Sequence, residues 1–560
     1  MSVESSSQPF HTYYVNYPIE MARKCPLCGS LIDYKYPNAG HQFTDFIGKF
    51  REIRQLYICT NSVCSMASIP FNPSPSLVLP HKRFSLAIWR WIATEAKIYK
   101  QNPAQITHRL HNEFGVNISE NTVRNCINEI DIYISNQIDL RTMNIVSQQG
   151  KVLIAFDGQE SDKAGPSLWL FVDVISNRVL HVSLLDHADH ETLYEVIELI
   201  LKKYKVSLLG FVSDKQGSIV KMRDTFYPEI PHQYCQFHFL QNMWKHLEKK
   251  DSSIYTILRK SVKSLYIISV SLSKRKKLTD STSVCIREFF SEVAQDFEKL
   301  LKNRTTKFKS FRGVKTFERL ENYINEMKIE LIKQDQDDWV TKKLNKTVSD
   351  IENTFDSLRL LYKSCIRMWE FFKKTQKIFG DDIGDKSEKL KRMDNHFNTL
   401  WYKCKGYKEI CMKANIKSIL PSKSTTIPGV MQEWVRLYER YRRGLFAYYD
   451  FPISIRTNSQ MEQAFSVQKS FFFGHCRRKI VGDQVRIRGG FRLKLIYAGT
   501  EEVEKIIKKI AKDYSRSLIQ EGLLNLQERI SAESKRWSTE DMEYHFSELW
   551  EKQDFKEDEF

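Results

Sequence analysis

The stretch from residue 151 to about 246 constrains the fold more than any other. KVLIAFD, SLWLFVDVI and NRVLHVSLL are apolar runs of strand length, rich in β-branched and aromatic residues. A turn at Ser176-Asn177 joins the second to the third, which predicts an antiparallel hairpin after the first strand. DHETLYEVIELILKKY (189–204) then has helical periodicity, with Asp189 placed to cap it. VSLLGFVSD is a fourth strand, followed by a helix from near Gln216, a short strand HQYCQF and a helix FLQNMWKHLEKK. The order β-β-β-α-β-α-β-α is an α/β pattern. Two of its apolar runs end in an acid: Asp157, followed by Gly158, and Asp214, followed by Lys215 and Gln216. Asp173 also sits in an apolar strand, but mid-hairpin, which suits a structural role. Glu160 is a further auxiliary acid.

The N-terminal part has a different chemistry. Cys25-Pro-Leu-Cys28-Gly and Cys59-Thr-Asn-Ser-Val-Cys64 are separated by thirty residues. Two such pairs suit knuckles that clamp one Zn²⁺ tetrahedrally, with a small β-ribbon filling the gap. His41, between the pairs, is read as a non-ligand. A Pro/Ser linker (71–80) leads to three helical stretches, at about 84–100, 103–114 and from Ser119 onward. Pro103 opens the second, Gly115-Val116-Asn117 forms the turn, and Ser119 caps the third. That pattern predicts a helix-turn-helix. Glu120, Asn121, Arg124 and Asn125 would face a major groove of DNA, with Ile118, Val123 and Ile127 packed inward.

Composition narrows the partners. The 560 residues exceed one ordinary domain, and a net charge of +18 with a pI near 9.2 favours a polyanion, nucleic acid above all. No apolar run is long enough to span a bilayer, and MSVESSSQPFHTYY lacks the form of a secretory signal. Eleven cysteines, four clustered, suit a reducing compartment: cytoplasm or nucleoid in a prokaryote, the favoured host, and nucleus in a eukaryote.

Residues 250–450 are Lys-rich helical patterns without a clear repeat. Beyond them, RTNSQMEQAFSVQKSFFF places Glu462 at a helix start, with Asn458 just before it and Lys469 seven residues on, on the same face. His475, Arg477, Arg478 and Lys479, then Arg486, Arg488, Arg492 and Lys494, form a basic run suited to a DNA backbone. Hard divalent cations take oxygen ligands, so Asp157, Asp214 and Glu462 suit two Mg²⁺ ions about 4 Å apart, with Mn²⁺ able to substitute.

The chain resembles the DDE transposases with an RNase H-like catalytic core, in particular the Mutator-like group and related bacterial and archaeal insertion-sequence transposases. The matching residues are Asp157-Gly158, Asp214, Cys235-Gln236-Phe237-His238 and Thr457-Asn458-Ser459-Gln460-Met461-Glu462. Ser459 departs from the group's usual second Asn. The resemblance covers about 150–250 and 450–495, and the helical insertion only in kind. It implies that the first and fourth strands lie side by side, so that Asp157 and Asp214 meet at the sheet edge. It implies a peripheral role for Cys235 and His238, in DNA contact or in positioning the insertion. It further implies binding to double-stranded transposon ends and target, cleavage and 3′-hydroxyl joining, and a homodimer or larger synaptic assembly.

The expected architecture is multidomain α+β. Residues 1–20 are a flexible leader, 21–72 a zinc ribbon and 80–140 a helix-turn-helix. The RNase H-like core spans 150–248 and 451–498 and is interrupted by an all-α insertion over 249–450. A C-terminal helix and acidic tail take 499–560, the helix running over 500–532. Two other classes stay open: a transposase-derived, non-catalytic DNA-binding regulator, and an RNase H-like nuclease or resolvase.

Overall fold

The computed structural model describes residues 11–16, 23–74, 76–159, 165–273, 311–332, 339–381, 384–413, 427–476, 482–510 and 514–554. These residues form a mixed α/β structure with two sheets and thirteen α-helices. The chain divides into two compact units. The first comprises Met1–Leu209, Asp224–Phe226 and Ser459–Phe560, and the second Gly210–Arg223 and Tyr227–Asn458.

In the first unit, β4 (Gly48–Cys59) is the spine of the N-terminal sheet. β2 (Ile32–Pro37) pairs antiparallel with its second half and β3 (His41–Asp45) antiparallel with its first. β1 (His11–Val15) pairs parallel with residues 50–54 of β4. This corrects the expectation of a loose leader. An unpaired strand edge is a template for a passing segment, and His11–Val15 takes it, burying Val15.

Three helices follow: α1 (Leu86–Lys97), α2 (Pro103–Phe114) and α3 (Glu120–Gln149). At the start of α2, Asn102 Oδ1 accepts from the Gln105 amide at 2.9 Å and Gln105 Oε1 accepts from the Asn102 amide at 3.0 Å. Gly115 ends α2 in the left-handed region, φ 64°, which favours glycine. Ser119 caps α3 by accepting from the Thr122 amide at 3.2 Å. Ile88, Trp89, Ile92, Ile106, Leu110, Val123 and Ile127 form a common core, joined by Leu495, Val503 and Ile506 of the helix Gly482–Lys508. The expected boundary near 140 does not exist. Ile134, Ile138, Thr142 and Val146 carry a buried stripe at four-residue spacing, so α3 continues to Gly150, directly before the next strand.

Strands β5 (Lys151–Gln159), β6 (Ser167–Asp173) and β7 (Arg178–Leu185) are antiparallel neighbours, with Asn177 at φ 54° in the turn. Asp173 is structural, as expected: fully buried, it accepts from the Leu153 and Ser176 amides, the Ser176 hydroxyl and Gln149 Nε2. Helix α4 (His190–Tyr204) is capped by Asp189, and the Tyr204 hydroxyl donates to the Leu180 carbonyl at 2.9 Å. The sheet order is β7-β6-β5-β8-β9, so the first strand of the set neighbours the fourth, β8 (Ser207–Ser213). Ser207, in the part of β8 that belongs to the first unit, donates its amide to the Gly150 carbonyl at 3.1 Å.

Helix α11 (Ser459–Cys476) packs on β5 and on α12 (Gly482–Lys508). The single helix expected over 500–532 is two. Helix α12 kinks at Gly499 (φ 75°, ψ 163°) and ends at Lys508, and α13 (Arg516–Asp554) starts afresh.

In the second unit, β8 pairs parallel with β9 (His232–Tyr234), Ser213 opposite Tyr234. Helix α5 (Gly217–Phe226) intervenes in sequence. Helices α6 (Gln236–Ser273), α7 (Arg312–Ile332), α8 (Trp339–Gly380), α9 (Lys386–Lys413) and α10 (Ile427–Tyr441) enclose Phe239, Trp244, Phe317, Phe355, Phe372, Phe397 and Trp434. Asp251 on α6 accepts from the Gly313 and Val314 amides, each at 2.8 Å, and so caps α7. The expected boundary at 248–249 is absent, because α6 runs unbroken from Gln236 through the bundle. Gln233 of β9 donates to the Leu445 carbonyl at 3.0 Å and accepts from the Tyr448 amide at 2.8 Å, which ties the strand to the bundle.

Candidate active site and metal centre

The four N-terminal cysteines converge. Cys25 Sγ lies 3.9 Å from Cys64 Sγ and Cys28 Sγ 3.4 Å from Cys59 Sγ, and all four sulfurs lie within 4.8 Å of one another. A tetrahedral Zn–S shell of about 2.3 Å separates its sulfurs by about 3.8 Å, so this set can hold a metal ion such as zinc. The backbone builds the knuckles. The Cys25 amide donates to the Ser30 carbonyl, Gly29 turns at φ 74°, and the Cys59 amide donates to the Met66 carbonyl. The Ser30 hydroxyl and amide hold the Cys28 thiol down at about 6. His41 stands outside this cluster, its Nε2 2.5 Å from the Lys82 carbonyl.

On the first turns of α3, Asn121, Arg124 and Asn125 are exposed, while Val123 and Ile127 are buried and Ile118 half-buried. Arg124 pairs with Glu120 one turn earlier. Arg124 and Arg488 both line one cleft of about 530 Å³, with Lys97, Asp131, Arg492 and Phe471. Lys97 and Asp131 form a buried ion pair there at 2.5 Å.

The acidic residues divide between the units. In the first, Asp157 lies half-buried on β5, and its Oδ1 accepts from the Gly158 amide at 2.9 Å. Gly158 is closely packed: a Cβ there would stand 2.7 Å from the Trp169 ring of β6, which would have to shift. Glu462 is half-buried in the first turn of α11, the helix that packs on β5, and Lys469 is half-buried farther along it. One residue near Asp157 escaped sequence reasoning. Tyr497 of α12 has a buried hydroxyl with no hydrogen-bond partner among the described residues, and burial together with the Asp157 charge pushes its phenol up. IYAGT carries no motif that would single it out.

In the second unit, Asp214 follows β8 directly, half-buried, with Oδ1 accepting from the Gln216 amide at 3.3 Å. Burial raises its carboxyl, and nearby His238 opposes that shift. Cys235 is buried and donates its amide to the Ser213 carbonyl at 2.8 Å, so the Cys235–His238 turn begins beside Asp214. Asn458 is buried, at 2 % exposure.

The basic run is not one surface. Arg486 is a correction: it is buried, and its guanidinium forks onto Glu533, so it is not presented to a DNA backbone. Lys494 donates to Ser135 and Asp139, and Arg492 lies over the Phe471 ring at 4.0 Å. Arg488 is half-buried in the cleft. Arg477, Arg478 and Lys479 lie outside the described residues, as does Glu160. No helix among the described residues is long and apolar enough to cross a membrane. No protein-family model matches this chain, and no curated protein matches it significantly.

Proposed function

We propose that the chain is a DDE transposase with an RNase H-like core, which cleaves DNA at transposon ends and joins 3′-hydroxyls to target DNA. The observation that carries this reading is the sheet order β7-β6-β5-β8-β9, with Asp157 on the central strand and Asp214 at the end of its neighbour. That is the strand order an RNase H-like core requires. Glu462 at the head of a helix packed on β5 supports the third acidic position.

The chemistry is an in-line displacement at phosphorus by water or a 3′-hydroxyl. The donor set fits a hard cation, since all three acids offer carboxylate oxygen and burial already penalises charge on Asp214. Two Mg²⁺ ions, when bound, would lower the pKa of the nucleophile and neutralise the leaving oxygen. The chain's own residues hold and orient. Gly158 lets β5 and β6 close against Trp169 and fixes the direction of Asp157. The Gln216 amide orients Asp214, and the helix-turn-helix formed by α2 and α3 presents Asn121, Arg124 and Asn125 to a groove. The Cys₄ ribbon with one Zn²⁺ would serve the same end-binding region. Pairing of two ends calls for at least a dimer.

The test is incubation of purified protein with labelled DNA carrying the element's own ends, in Mg²⁺ or in EDTA. The expected result is metal-dependent cleavage at the ends and strand transfer. It should fall at least about a thousandfold in Asp157→Asn, Asp214→Asn and Glu462→Gln, because each removes several kcal/mol of charge stabilisation. Unchanged cleavage in all three variants would overturn the reading. Tight end binding without cleavage would instead identify a regulator, and hydrolysis without joining a nuclease.

A further inference from the structure

Within the second unit, α6 and α10 converge on a cleft of about 550 Å³ beside Asp214. Lys215, the next residue in the chain, lies at one end, its ammonium 5.7 Å from the ring centroids of both Tyr234 and Tyr441. The Tyr441 hydroxyl accepts from the Asn242 amide group at 3.2 Å. Asn242, Lys245, His246 and Lys249 then follow along one face of α6, and Arg440 of α10 also lines the cleft. Trp434 locks the two helices by donating Nε1 to the Met243 carbonyl at 2.9 Å.

The charge in this cleft is unbalanced. Four cations line it and Glu248 is the one carboxylate among its described lining residues. Lys245, Lys249 and Arg440 are exposed, and none of the three forms an ion pair among the described residues. Lys245 Nζ reaches Asn242 Oδ1 at 3.5 Å. Burial pushes the His246 imidazole down; Glu433 opposes this, while Lys249, Arg440 and Lys245 add to it, so three cations crowd one ring. Like charges one helical turn apart destabilise a helix, and Lys245 and Lys249, four residues apart on α6, are offset by about 6 Å along its axis. A polyanion with regularly spaced charges removes that repulsion.

We propose that the α6–α10 cleft is a track for the phosphodiester backbone of duplex DNA, with Lys215, Lys245, Lys249 and Arg440 neutralising phosphates next to Asp214. The choice of DNA rests on the reading of Asp214 as a metal-binding acid. Phosphate contacts of this kind position a duplex without reading its sequence.

The experiment is fluorescence anisotropy of the full-length protein with fluorescein-labelled duplexes of two unrelated sequences, across a KCl series. Lys245→Ala/Lys249→Ala/Arg440→Ala should weaken binding to both duplexes alike and lower the slope of log K against log[KCl] by about 2.7, or about 0.9 for each phosphate no longer neutralised. Lys249→Ala alone should lower it by about 0.9. Lys245→Arg/Lys249→Arg/Arg440→Lys should restore the wild-type slope. An unchanged slope in alanine variants that melt like wild type overturns the proposal, as does preferential capture of an acidic peptide over DNA. Flattened slopes in a protein that never cleaves DNA would leave the track standing and remove the transposase reading. Normal cleavage with unchanged slopes would do the reverse.

Discussion

Arg486 on α12 and Glu533 on α13 form a buried, doubly hydrogen-bonded ion pair, Nε to Oε1 at 2.7 Å and Nη2 to Oε2 at 2.6 Å. Their side chains are 4 % and 7 % exposed. Removing one partner strands the other charge away from water, whereas removing both does not. Glu533→Ala should therefore destabilise the first unit by about 3–5 kcal/mol, and Arg486→Met with Glu533→Leu should recover most of it. Urea denaturation of the single and double variants checks this. A fully stable Glu533→Ala protein would show that Arg486 does not depend on its partner.

The Cys₄ cluster should carry one zinc per chain, measurable by elemental analysis of the purified protein. Structural zinc sites couple metal binding to folding with apparent free energies of about 10–16 kcal/mol. Chelation, or Cys28→Ser with Cys59→Ser, is expected to release the ion and expose amides of β2 and β4 to hydrogen exchange, while amides of the helical second unit keep their protection. Full protection of β2 and β4 without metal would mean that β-pairing alone holds the ribbon.

His396 in the second unit predicts an acid-sensitive bundle. Its ring stacks on Phe371 at 3.8 Å, lies 6 % exposed, and is pushed down to about 4 by burial. The unfolded chain binds this proton near pH 6.5 and the folded one only near 4, so stability is present above 6.5 and lost as pH falls through that window. The loss amounts to about 3 kcal/mol at most. His396→Phe keeps the stacking without the titration. Its unfolding free energy should change less than that of wild type between pH 7 and pH 4. Parallel pH profiles would assign the acid sensitivity elsewhere.

Gly158→Ala should move the Trp169 ring, because the new Cβ would sit 2.7 Å from it in a cross-strand pair. Overpacking of this kind costs about 1–3 kcal/mol. A shifted tryptophan emission and a lower melting temperature are expected, with partial rescue by Trp169→Leu. On the proposed reading of Asp157 as a metal-binding acid, DNA cleavage should also fall further than stability alone explains, because Asp157 adjoins the substituted position. A protein unchanged in both respects would show that β6 yields freely.

Much of the fold was legible in the chain because it is locally encoded. Ser119 and Asp189 cap helices where they were expected, since a cap depends on a side chain reaching an amide two or three residues on. The hairpin turn at Asn177 and the apolar runs of β5–β7 are equally short-range. The two cysteine pairs were legible because metal-ligand spacing is a local constraint. The failures were of another kind. Nothing near Arg486 announces Glu533, 47 residues on, so a string of basic residues reads as one DNA-facing surface when one of its members is interior. The stop expected at 140 failed because the buried stripe of α3 follows a partner surface.

Interactions a few residues long suffice to set the element types, the helix caps, the clamp of cysteines and the placing of Asp157 on β5 and of Asp214 directly after β8. The folded chain alone makes His11–Val15 an edge strand, carries α6 from β9 into the helical bundle, and turns Arg486 inward. It alone brings Lys215, Lys245, Lys249 and Arg440 to one cleft. These outcomes depend on which distant surfaces exclude water together, and the free energy of that burial belongs to the packed chain as a whole.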